Sequence, residues 1–239
     1  MSLNVEERQS DSPFVERIWR AQGRHVDTFV SIAFSRLDLV FWTFEGKTMF
    51  TVRGPETRAT HASVPEESES FGIVLKPGVF LPHLPVPDLV DSDATLPHAT
   101  DHSFYLKGSA LQYPTFENAD TFINRLVKED VLVQEPIIHE ILNGQMPDLS
   151  LRTIQRRFLQ ATGLTHRTMQ RIEQARTAAI LLQSGLSILD TVFEVGYFDQ
   201  PHLTRSMKYF IGLTPTQIMD DNRPEQLSFL YKTDHLLSE

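Results

Sequence analysis

Four glycines, Gly163, Gly185, Gly196 and Gly212, divide the last third of this chain into segments of helical period. A residue just past a helix end turns left-handed, and glycine does so without a Cβ penalty. From Ser150, the apolar residues Leu151, Ile154, Phe158 and Ala161 recur at spacings of three and four. The same spacings link Met169, Ile172, Ala175, Ala179 and Leu182 after Thr165, then Ile188, Val192 and Val195 after Ser187. They return in Leu203, Met207 and Phe210 after Asp199. Each segment opens on Ser, Thr or Asp, the side chains that cap a helix N-terminus. Ser187 with Asp190 resembles a capping box. Pro201 falls in a first turn, where its missing N–H does no harm. The pattern predicts four consecutive helices.

The first half has a different grammar. Val30–Ser35 alternates with period two, and Val40–Phe44 and Thr48–Arg53 flank the hairpin signal Glu45-Gly46-Lys47. Phe71, Ile73 and Leu75 alternate again before a turn at Lys76-Pro77-Gly78. Five prolines between Pro77 and Pro97 exclude a long helix or a central strand there. Beyond Pro114 helical periodicity takes over, which places a boundary near residues 112–118.

Charge is unevenly spread. The chain carries net −9, yet residues 150–215 sum to +4 and the remaining residues to −13. An acidic body repels polyanions except where a positive surface is presented. There is no cysteine, which removes disulfides, thiol nucleophiles and thiolate metal sites and fits a reducing cytoplasm. No apolar run reaches the ~18 residues of a membrane span, and the first thirty residues lack a signal peptide's apolar stretch. The expectation is a soluble, cytoplasmic protein.

The apolar stripes leave a particular set of side chains facing outward. On the helix after Ser150 these are Arg152, Thr153, Gln155, Arg156 and Arg157, with no acid among them. On the helix after Asp199 they are His202, Thr204, Arg205 and Lys208, with Gln200 in the first turn. Arginine and glutamine make bidentate bonds to guanine and adenine edges, and threonine and lysine serve phosphates. A single polar helix face is usually only solvated. Two of them, each behind a short helix and a turn, have the layout of helix-turn-helix units. The segment Thr165–Ser184 between them spans about 30 Å as a helix, close to the ~34 Å between successive major grooves.

"SLRTIQRRFLQATGLT" (Ser150–Thr165), "RIEQARTAAILLQSGLSILD" (Arg171–Asp190) and "GYFDQPHLTRSMKYFIGLTP" (Gly196–Pro215) resemble the first recognition helix, the linker helix and the second signature of the AraC/XylS family of bacterial transcription regulators. The resemblance covers roughly residues 120–220. It implies that Arg152, Gln155 and Arg156 occupy base-contacting positions of the first unit. Gln200, Pro201 and Arg205 occupy them in the second, with His202 and Thr204 beside them. "EPIIHEILNGQMPDLS" (Glu135–Ser150) matches the first unit's opening helix and turn only loosely. The family's Ile-Ala pair before the second turn reads Thr191-Val192 here, which puts a bulkier Val192 where close packing favours alanine.

The resulting expectation is an α+β chain. Residues 1–115 form a β-rich or mixed sensor-like domain, residues 116–222 an all-α DNA-binding domain with two helix-turn-helix units joined by a linker helix, and residues 223–239 a tail. The expected partner is double-stranded promoter DNA. The resemblance adds a small-molecule effector on the N-terminal domain, a second copy of the chain, and RNA polymerase. "ERIWRAQ" (Glu16–Gln22), "VRGPET" (Val52–Thr57) and "FGIVLKPGVF" (Phe71–Phe80) resemble a sensor-like domain. Phe29, Phe34, Phe41, Trp42, Phe44 and Phe50 could line an apolar pocket, but at strand spacing they read as core. His98 and His102, beside helix-breaking Pro97, read as surface histidines rather than a metal pair. No elbow serine, zinc-protease pair or phosphate loop appears, so no enzyme, cofactor or metal is expected. The rival reading is a small-molecule-binding or protein-interaction module with a degenerate DNA-binding domain, motivated by the acidic total and by Thr191-Val192.

Overall fold

The computed structural model describes residues 4–23, 27–64, 68–220 and 226–227. Strands run in chain order as β1 (Asn4–Arg8), β2 (Val15–Gly23), β3 (Asp27–Ser31), β4 (Asp38–Phe44), β5 (Lys47–Arg53), β6 (Thr60–Val64), β7 (Ser68–Leu75), β8 (Val79–Phe80), β9 (Asp93–Thr95), β10 (His98–Thr100), β11 (Ser103–Leu106), β12 (Ser109–Gln112), β13 (Val133–Gln134) and β14 (Gln226–Leu227). Helices are α1 (Ala119–Lys128), α2 (Pro136–Leu142), α3 (Leu151–Thr162), α4 (His166–Gln183), α5 (Ile188–Val195), α6 (Gln200–Phe210) and α7 (Pro215–Met219). A β-rich first half thus precedes a helical second half. The chain gathers into two compact units, each drawn from several segments: Met1–Asp27, Arg36–Pro55 and Val64–His166 in one, Thr28–Ser35, Glu56–Ser63 and Arg167–Glu239 in the other.

The first unit is built on an antiparallel sheet of order β1-β2-β7-β4-β5-β9, with a three-stranded β10-β11-β12 sheet and the pair β8-β13. The β4–β5 hairpin turns on Glu45 and Gly46 at φ 49° and 73°, the left-handed pair that a two-residue turn needs. Strand alternation sends Leu39, Phe41, Phe50, Val52, Ile73 and Leu75 into one core. There the Phe41 and Phe50 rings stack at 4.4 Å, and Phe122 of α1 meets Phe41 edge-on at 5.7 Å. Helix α1 therefore closes the β core, burying Ala119, Phe122, Ile123 and Leu126. Gly72 allows close approach on the other face, since a Cβ there would lie 2.3 Å from the Trp19 ring. The proline-rich stretch forms only a 3₁₀ turn at Val86–Leu89 and the short β8 and β9.

The second unit contains α4 to α7 and the strand order β14-β3-β6. Here the expected alternation over Val30–Ser35 gives way. Strand β3 ends at Ser31, and every residue from Val30 to Ser35 is buried because the segment packs on helices rather than forming one half-exposed strand. The tail expected at 223–239 lies, apart from Gln226 and Leu227, outside the described residues. Those two pair in parallel with Phe29 and Val30. Among the described residues no helix is long and apolar enough to cross a membrane.

Candidate nucleic-acid interface

The first candidate reading helix, α3, starts where the Ser150 hydroxyl accepts the Thr153 N–H at 3.2 Å. It stops at Gly163, whose φ of 70° is the left-handed cap. That stop is doubly determined, because a Cβ on Gly163 would meet Val90 at 2.8 Å. Ile154, Phe158 and Ala161 face inward as their spacing predicts. Leu151, read as part of the same stripe, is instead 65% exposed at the first helical position. Helix α2 precedes α3, carries Pro136 in its first turn and buries Ile137 and Ile138. Strand pairing of β13 with β8 and a bond from the Glu135 N–H to the Gly78 carbonyl (2.9 Å) fix its start.

On the outer face of α3, Arg152, Gln155 and Arg156 are exposed and Thr153 is half-buried beside Ser150. Among the described residues neither Arg152 nor Arg156 has an acidic partner. Arg157 differs. Its guanidinium grips Glu135 with two bonds, Nε to Oε2 at 3.0 Å and Nη2 to Oε1, tying α3 to the residue that caps α2. The Glu135 bond holds the Arg157 guanidinium above its ordinary value.

The second candidate reading helix, α6, follows the short helix α5. The Ser187 hydroxyl accepts the Asp190 N–H at 3.1 Å and donates to the Asp190 carboxylate at 2.6 Å. The aspartate therefore answers the cap hydroxyl, not the cap backbone as the longer glutamate of a capping box would. The full reciprocal box occurs at Thr214 and Gln217, opening α7. Gly196 ends α5 at φ 77°, and the Gln174 amide of α4 donates to the last-turn carbonyl of Val195 at 3.0 Å. The tight position of α5 belongs to Thr191, which is fully buried with its hydroxyl on the Ser187 carbonyl. Val192, expected to crowd the packing, is only half-buried.

After the turn, Tyr197 is buried and its phenol shares a 2.9 Å hydrogen bond with the Ser206 hydroxyl. Burial pushes the phenol above its ordinary range, opposed by that bond. Asp199 caps α6 by accepting the His202 N–H at 2.6 Å. Leu203, Ser206, Met207 and Phe210 turn inward. Gln200, Pro201, Arg205 and Lys208 are exposed, and His202 and Thr204 are half-buried beside them. Among the described residues Arg205 and Lys208 have no acidic partner.

The first unit also holds a cleft of about 360 Å³ at one end of its sheet. Phe41 and Phe71, stacked at 4.7 Å, form its floor, and Arg20, Gln22, Thr43, Thr48, Glu69 and Tyr113 stand round it. Arg20 is engaged by Glu6 and Glu117 and lies over the Phe116 ring at 4.7 Å. Of the phenylalanines considered for a pocket, Phe41 lines this cleft, whereas Phe50 is core and Phe34 is buried in the other unit. His98 shares its Nδ1 with the Tyr113 hydroxyl at 2.9 Å.

Residues 145–221 match a family model described as a helix-turn-helix domain. That match takes in helices α3 to α7. No curated protein and no solved structure gave a significant match to the chain.

Proposed function

We propose that this chain, whose residues 145–221 match a helix-turn-helix domain and whose motifs resemble the AraC/XylS family, is a transcription regulator that reads promoter DNA with two helices in adjacent major grooves. The observation that carries this reading is the repetition of one device. Both α3 and α6 are side-chain-capped, buried on one face, and present on the other an arginine and glutamine set (Arg152, Gln155 and Arg156; Gln200 and Arg205) that has no acidic partner among the described residues. In this reading Arg152, Gln155 and Arg156 of α3 meet base edges, as do Gln200 and Arg205 of α6. Pro201 contributes only shape and apolar contact, having no N–H. Thr153, His202, Thr204 and Lys208 serve the flanking bases and phosphates. Arg157 orients α3 through Glu135. The 18-residue α4 has a length of about 27 Å at about 1.5 Å per residue, which supports a groove-to-groove connector.

The cleft over Phe41 and Phe71 supports effector control from the N-terminal half, since small-molecule sites favour the mouths of β structures with an apolar floor and a few polar groups. RNA polymerase and a second copy of the chain are the protein partners of this reading. Leu189, Phe193 and Phe198, 70%, 87% and 91% exposed, are apolar surface that such a contact would cover.

Selection from random duplex DNA with the full chain, followed by affinity against salt, tests the reading. Two enriched elements about 10 bp apart and a steep fall of affinity with salt are expected. Absence of any enriched site, with weak binding even at low salt, sinks the two-groove reading and favours the interaction module.

A further inference from the structure

We infer that two segments of the N-terminal half hold the second reading helix in position, so that Ala33, Ala59 and Arg176 are positioning residues for DNA recognition. This rests on α6 being a reading helix.

The argument begins with backbone accounting. The last carbonyls of a helix have no partner within it and must find one elsewhere. In α6, the Met207 carbonyl is taken by the Ile211 and Gly212 N–H groups of the following turn. The last two carbonyls of the helix go to residues from far earlier in the sequence. The Ala59 N–H donates to Tyr209 at 2.9 Å and the Ala33 N–H donates to Phe210 at 2.7 Å. Gly212 follows at φ 85°, and a Cβ there would lie 2.7 Å from Val30 and 3.2 Å from Ala59. The same two segments therefore satisfy the end of α6 and close over the turn that leaves it.

Their other side grips the linker helix. Arg176 of α4 is 3% exposed, stands 4.8 Å over the Phe34 ring and donates to the Ala33 carbonyl at 3.5 Å. The Ser35 hydroxyl donates to Glu173 of α4. The segments are also bound to each other. Phe34 and Glu56 exchange two backbone bonds of 2.8 Å, and the Ser31 hydroxyl donates to the Glu56 carboxylate at 2.7 Å. Arg171 of α4 lies 5.4 Å from the Phe210 ring centre, completing a closed circuit of α4, the two segments and α6. Helices α5 and α6 alone could pivot on the Gly196 turn. The circuit removes that freedom by fixing the far end of α6 to its own linker.

The two segments are continuous in the chain with the central strands of the sheet. Segment 28–35 continues through Arg36 and Leu37 into β4, and β5 runs out through Gly54 and Pro55 into segment 56–63. Strands β4 and β5 carry Phe41, Thr43 and Thr48 of the cleft.

The experiment uses the full chain on its selected site. Wild type, Arg176→Gln, Ala59→Pro and Gly212→Ala are compared by hydroxyl-radical footprinting and by affinity for single-base variants, with Arg205→Ala as the reference for a lost base contact. Variants that keep their far-UV circular dichroism are expected to lose protection and base preference at one element, by about ten- to a hundredfold in affinity, as Arg205→Ala does. Protection at the other element is expected to stay. Folded variants with wild-type protection and preference at both elements overturn the inference while leaving the reading helix intact. If Arg205→Ala itself changes no preference, α6 is not a reading helix, and the inference falls with that reading. Amide exchange on the wild type needs no substitution. Ala33 and Ala59 are expected to be protected like Leu203 and Met207 inside α6, and exchange at open-loop rates overturns the inference.

Discussion

Arg156 and Arg205 stand exposed on helices whose opposite faces are buried, and what each is worth depends on geometry rather than on charge alone. Arg156→Ala and Arg205→Ala are each expected to cost about 1–3 kcal/mol on a selected site and to relax preference at one base position. Lys208→Ala is expected to weaken all sequences alike and to lower the salt slope, as loss of a phosphate contact does. Titrations against a panel of single-base variants separate the two behaviours. Arg157 belongs to a third class. Its paired bonds to Glu135 are partly shielded, with 35% and 15% of the two side chains exposed. Arg157→Ala is expected to lower the melting temperature slightly, as loss of a solvent-screened ion pair does. A change of base preference without loss of stability would instead put Arg157 on the DNA.

Each element is held at its ends as much as along its face. Asp199 places a carboxylate at the N-terminus of α6, where it satisfies an open N–H and faces the positive end of the helix. Asp199→Ala is expected to cost about 1 kcal/mol in a denaturant melt. Helix α1 is tied at its start in a different way. Asp120 accepts bonds from the Ser10 hydroxyl and from Arg8 Nη1, the latter at 2.7 Å, joining the end of β1 to α1. Burial opposes ionisation there, but the Ser10 and Arg8 bonds outweigh it and hold the carboxyl below its ordinary 3.8. A carboxyl lowered by folding contributes stability that is complete above its unfolded value and is lost as pH falls through the folded one. Denaturant midpoints measured from about pH 5 down to about pH 2 should fall for the wild type. Asp120→Asn should be less stable at the upper end and show a shallower fall.

Across the full chain, the helices of the second half draw contacts from segments of the first. Ile138 of α2 packs where Gly78 leaves room, Gly163 closes on Val86 and Val90, and α6 ends on Ala33 and Ala59. A fragment of residues 116–239 leaves all these groups without partners and also strips α1 from the core around Phe41 and Phe104. It is expected to melt without a cooperative transition, whereas the full chain melts cooperatively. Two sharp transitions of equal helical content in both proteins would count against this. The helices α3 to α6 were legible in the residues because caps, left-handed glycines and apolar period act within a few positions, and the Glu45-Gly46 hairpin was legible for the same reason. The outward arginines of α3 and α6 followed from the same period. Local features were thus written in the residues: where helices begin and end, which face is apolar, and that three segments resemble one family. Folding in three dimensions was needed to show that Thr191 rather than Val192 fills the tight position, that Arg157 is paired with Glu135, and that Val30–Ser35 packs on helices. It alone also brought Ala33 and Ala59 to the end of α6. Those contacts are made by backbone groups and small side chains far apart along the chain. A backbone N–H is the same in every residue but proline, so its partner leaves no mark in the sequence.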